Sequence, residues 1–134
     1  MKAGQGVPPP QRRWYGTMIL IADDNDDVRR MLRSIVEDID PDIVECVNGR
    51  EAFEAYGEHE PDVVLMDIGM EPVDGLAAMS LILAKYPDAA IIIVTEHQDR
   101  RIRETSLTRG AWGFVGKDDL TMVSGIVRKV LDKP

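Results

Sequence analysis

Short continuous apolar runs alternate along this chain with longer stretches whose apolar residues recur every three or four positions. Met18 to Ala22 is such a run, while Val28, Met31, Leu32, Ile35, Val36 and Ile39 repeat at helical spacing. Ile43 to Val47 is followed by Ala52, Phe53 and Tyr56, and Val63 to Met66 by Leu76, Met79, Ile82 and Leu83. Ala89 to Val94 leads to a polar helix from Gln98 to Thr108, and Trp112 to Val115 leads to Leu120, Val123, Ile126, Val127, Val130 and Leu131. Five strand-helix pairs in succession, with strands apolar on both faces, predict a parallel sheet with helices on each side: an α/β, doubly wound sandwich.

A chain of 134 residues, 44% of them apolar, suits one domain with a real core. Its net charge of -8 has the wrong sign for a domain that grips nucleic acid and favours cationic partners, metal ions included. The longest apolar run, Ala89 to Val94, falls far short of the ~20 residues of a membrane span, so no membrane partner and a cytoplasmic location are expected. Cys46 is alone, and no His or Lys adjoins it to activate the thiol, so it reads as a packed strand cysteine. Residues 1–16 carry Gly4, Gly6, Pro8-Pro9-Pro10 and Arg12-Arg13-Trp14, the composition of a disordered arm, which leaves 17–134 as the folded domain.

Asp23, Asp24, Asp67, Thr95 and Lys117 each fall where an apolar run ends. In a doubly wound sheet the carboxyl ends of the strands are where ligands collect. Each residue alone has an ordinary explanation: Asp24 or Asn25 as a helix cap, Asp67 as a loop acid, Thr95 as a β-branched strand residue, Lys117 as a solvated charge. Together they call for more. Three acids within ~4 to 5 Å repel by roughly 4 kcal/mol per pair at an effective dielectric near 20. A bound cation resolves the conflict, and an all-oxygen donor set suits Mg²⁺ rather than zinc.

With Asp67 inside Leu65-Met66-Asp67-Ile68-Gly69-Met70, Thr95 inside Ile93-Val94-Thr95 and Lys117 inside Gly113-Phe114-Val115-Gly116-Lys117, the chain resembles the receiver domain of two-component response regulators over Thr17 to Leu131. Asp74-Gly75 and Gly110-Ala111 also match that family's loops. The resemblance implies a flavodoxin-like strand order 2-1-3-4-5 with five helices. It implies that Asp67 accepts a phosphoryl group, with Mg²⁺ held by Asp23, Asp24, Asp67 and the Gly69 backbone carbonyl, and Lys117 offsetting phosphoryl charge. Thr95 and Phe114 correspond to the switch pair that reshapes the surface of the fourth helix, fifth strand and fifth helix. The implied partners are a sensor histidine kinase or phosphotransfer protein, a downstream output protein or domain, and a phosphorylation-dependent homodimer. The resemblance implies no enzyme activity beyond the domain's own phosphorylation and dephosphorylation.

Some positions depart from the family pattern. Glu96 follows the switch threonine where a small residue is usual; it either slows phosphorylation by small donors or faces solvent. Gly69 and His97 stand where the family tunes hydrolysis of the aspartyl phosphate, and His97 reads as a loop histidine rather than a metal ligand. Pro72 lies one place late, and Asp118 replaces a proline.

Other classes fit less well. A haloacid-dehalogenase-type phosphatase needs an acid where Gly69 stands, a flavin site needs phosphate donors where Asp23 and Asp24 stand, and a nucleotide-binding loop needs Gly at Ala111 and Ser or Thr at Asp118. A phosphorylation-independent interaction module that keeps the fold is the remaining rival. Arg100, Arg101, Arg103, Arg109, Arg128 and Lys129 read as solvated charges or as a partner surface. With no output domain after the last helix, output is expected from a partner or from a longer protein.

Overall fold

The computed structural model describes residues 17–40 and 42–132; the expected arm at residues 1–16 lies outside the described residues. Strands and helices alternate: β1 Ile19–Ala22, α1 Asp26–Val36, β2 Ile43–Cys46, α2 Gly49–His59, β3 Val63–Met66, α3 Gly75–Lys85, β4 Ile91–Thr95, α4 Arg100–Thr108, β5 Gly113–Gly116 and α5 Met122–Leu131. A 3-10 turn, Lys117–Asp119, joins β5 to α5. All pairings are parallel, in the order β2-β1-β3-β4-β5, with Ala22 opposite both Cys46 and Met66 and Thr95 opposite Gly116. The order reverses beside β1, so the turns after β1 and β3 flank the crevice where such sheets hold ligands.

The continuous apolar strands are explained by burial on both faces. Leu20, Ala22, Val64, Met66, Ile91 and Ile93 pack against α2 and α3 through Ala52, Tyr56, Ala78, Met79 and Ile82. The alternate residues Ile19, Ile21, Val63, Leu65, Ile92 and Val94 pack against α1 and α5 through Leu32, Val36, Val123 and Val127. Both clusters are almost wholly dry, so moving any strand by one residue would exchange the two faces.

Four helices start on a side-chain cap. Asn25, Asn48, Asp74 and Asp99 accept the N–H of Val28, Glu51, Ala77 and Ile102 respectively. The cap of α1 is therefore Asn25, which leaves Asp24 for other work. Element ends differ from the sequence pattern at several places. Ile39 belongs to the turn after α1 yet stays against the core, Val47 lies beyond β2 and is exposed, and Trp112 precedes β5 and is 38% exposed.

Candidate functional site

At the carboxyl ends of β1 and β3 the chain gathers acids. Asp23 and Asp67 are buried and Asp24 is exposed, and one carboxylate oxygen from each lies within 4.8 Å of the other two. The backbone holds them firmly: the Asp67 N–H donates to the Ala22 carbonyl at 2.9 Å, and the Asp23 N–H to the Cys46 carbonyl at 3.0 Å. Asp23 Oδ1 accepts the Asn25 N–H at 2.8 Å. The N-terminus of α3 presses against the same loop so closely that a Cβ on Gly75 would sit 1.9 Å from the Asp67 carbonyl oxygen.

Lys117 reaches over from the turn after β5. Its Nζ lies 2.8 Å from Asp23 Oδ2, an ion pair short of an aligned hydrogen bond, and 3.3 Å from Asp67 Oδ2. Burial opposes the ammonium charge, but the two carboxylates outweigh it and hold the Lys117 pKa above its ordinary value. Burial pushes the Asp23 carboxyl up, the Lys117 and Asn25 contacts work against that, and the charge of Asp67 adds to it. Asp67 Oδ1 is buried without a hydrogen-bond donor. One ammonium against three carboxylates leaves the pocket with an excess of negative charge and an unmatched acceptor. That fits a hard divalent cation with incomplete protein coordination, as Mg²⁺ prefers.

Thr95 ends β4 fully buried, and its Oγ1 accepts the His97 N–H at 3.2 Å. The His97 ring stands beside Gly69: a Cβ added there would lie 3.4 Å from His97 Nε2 and 3.8 Å from Asp67 Oδ2. Glu96 is exposed, in line with the solvent-facing alternative. Phe114 on β5 is half-buried against the core, with the Arg103 guanidinium from α4 5.7 Å from its ring centre.

The sequence patterns missed Arg29. Its Nη1 donates to the Asp23 carbonyl at 2.7 Å while Nε donates to Glu45 at 3.1 Å, and it also pairs with Asp26. A signal did exist, since Arg29 lies one turn after the Asn25 cap and so points back toward the loop.

The family described as Response regulator receiver domain matches residues 19–123. Among similar proteins, the chemotaxis protein CheY of Listeria monocytogenes is 38% identical over 100 residues, which cover 74% of this chain and 84% of that protein. The transcriptional regulatory protein LnrK of Bacillus subtilis is 39% identical over 103 residues, 75% of this chain but only 46% of that longer protein. Among solved structures, the CheX-CheY-BeF3-Mg+2 complex of Borrelia burgdorferi aligns with a TM-score of 0.81 at 27% identity, covering 87% of this chain and 90% of that one.

Proposed function

Because this chain belongs to the response regulator receiver domain family, whose general role is phosphorylation-dependent signalling, we propose that it is a switch phosphorylated on Asp67. The observation that carries the reading is the unpartnered, buried Asp67 Oδ1 between an acidic pair and an ammonium. In the transfer, one Asp67 oxygen bonds to phosphorus as the P–N bond of a phosphohistidine breaks, and the imidazole leaves with the bonding pair and takes up a proton. Mg²⁺, when bound, neutralises charge on the phosphoryl oxygens and orients the donor. Asp23, Asp24, Asp67 and the Gly69 carbonyl are the residues that would hold it. Lys117, already shared between Asp23 and Asp67, is within reach to follow charge onto the phosphoryl group.

The hydroxyl of Thr95 would then donate to a phosphoryl oxygen, and Phe114 would turn with it, changing the face formed by α4, β5 and α5. Such a bond contributes about 1.5 to 3 kcal/mol, less than the ~5.5 kcal/mol that carries an equilibrium from 1:99 to 99:1, so Lys117 and the partner supply the rest. A sensor histidine kinase or phosphotransfer protein is the donor, an output protein or domain the recipient, and the cytoplasm the compartment. Among the described residues no helix is long and apolar enough to cross a membrane.

Intact-protein mass spectrometry after incubation with acetyl phosphate, and in parallel with a phosphohistidine donor, tests this. A single phosphoryl adduct that requires Mg²⁺ and is lost in Asp67→Asn is expected. No adduct from either donor would overturn the switch.

A further inference from the structure

At the opposite end of the sheet from the acidic site, a cavity of about 530 Å³ opens at the amino ends of β3, β4 and β5. Tyr56, Tyr86 and Trp112 line it, three of the five aromatic residues in the described chain, with the two tyrosine rings 4.9 Å apart. Its charged lining is Glu60, Asp62 and Asp88 against Lys85. An aromatic, acidic groove is the complement of a segment rich in proline and arginine.

The chain carries one such segment, Pro8-Pro9-Pro10-Gln11-Arg12-Arg13-Trp14-Tyr15. It joins the fold at the rim of this cavity. The Met18 N–H donates to Asp62 Oδ2 at 2.9 Å, and the Asp62 N–H donates to the Met18 carbonyl at 2.9 Å. Arg12 lies six positions before Met18, enough for about 20 Å of extended chain. We propose that residues 8–15 dock in their own domain's cavity, with Arg12 and Arg13 toward Glu60, Asp62 and Asp88 and the proline and tryptophan rings against Tyr56, Tyr86 and Trp112. Docking within one chain is favoured over capture of another protein's peptide because the short tether gives the arm a millimolar effective concentration. The cavity shares no residue with the acidic site.

The chain has two tryptophans, so Trp112→Phe keeps an aromatic wall and leaves Trp14 as the sole reporter. Acrylamide quenching of Trp14 is compared between that protein, the same chain with Arg12→Glu and Arg13→Glu, and the same chain with Glu60→Gln and Asp88→Asn. An arm whose intrinsic dissociation constant matches a millimolar effective concentration is docked about half the time, so the parental arm should quench about half as readily as either variant. Salt at 0.5 M should narrow the gap. In the chain that keeps Trp112, trypsin should cut after Arg12 and Arg13 more slowly than in the Glu60→Gln, Asp88→Asn variant.

Equal quenching in all three proteins, matching a synthetic peptide of residues 1–16, together with unchanged tryptic rates, would overturn the proposal. So would protection that grows with protein concentration, because that assigns the cavity to the arm of a second copy.

Discussion

Arg29 ties the acidic loop to the edge of the sheet. One nitrogen of its guanidinium holds the Asp23 carbonyl, another the Glu45 carboxylate of β2, and the side chain is only 14% exposed. Glu45 is in turn clasped by Arg33 at 2.6 Å; that pairing lowers its pKa, burial works the other way, and Arg29 adds to the lowering. Replacing Arg29 by Met leaves Glu45 to Arg33 and the Asp23 carbonyl without this donor. The expected cost is about 1.5 to 3 kcal/mol, the scale of a charge-assisted hydrogen bond, read from urea denaturation. Arg29→Lys should recover only part of it, since an ammonium cannot span two acceptors as a planar fork does. A cost under ~0.5 kcal/mol for Arg29→Met would mean that the loop holds its shape without it.

Two glycines in helices are distinguished by what lies next to them. Gly75 opens α3 where the helix end abuts the β3 loop, and any Cβ there collides with the Asp67 backbone at 1.9 Å. That obstacle is main chain and cannot swing aside. Gly75→Ala should therefore cost upward of ~3 kcal/mol or prevent folding. Gly125, inside α5, has open space for 4 Å around the position a methyl would take, so Gly125→Ala should stabilise the protein by ~0.5 to 1 kcal/mol through helix propensity and a less free unfolded chain. Thermal or urea melts of the two variants should shift in opposite directions. The contrast also marks how far the sequence could be read. Strands were legible because Ile91–Thr95 and its neighbours are buried on both faces, and the acids were legible because each ends such a run. Helix ends were less so: the apolar period carries through Ile39, but α1 stops at Val36 and the chain turns there with Ile39 still on the core. Arg29 on Glu45 of β2 and His97 beside Gly69 join elements distant in sequence, and no one-dimensional period encodes that.

For the molecule as a whole, the acidic pocket is a built-in strain on folding. Two buried carboxylates and an exposed third face one ammonium, and burial raises the Asp23 pKa because its charged form is held less favourably than in water. The unfolded chain separates these charges, so the metal-free fold should gain from the loss of one of them. Asp24→Asn is the mildest such change, because Asp24 is exposed and neither Asn25 nor Lys117 depends on it. A cation that binds the folded pocket and not the unfolded chain adds stability by mass action, about 2.7 kcal/mol at one hundred times its dissociation constant. Scanning calorimetry with increasing Mg²⁺ should therefore raise the melting temperature of the parent protein by several degrees. Asp24→Asn should begin a few degrees higher in chelator and respond weakly to Mg²⁺, so that the two curves converge. Parallel rises in both proteins would show that Asp24 is not part of the cation site. No rise in either, with phosphorylation intact, would mean that the donor brings the metal with it.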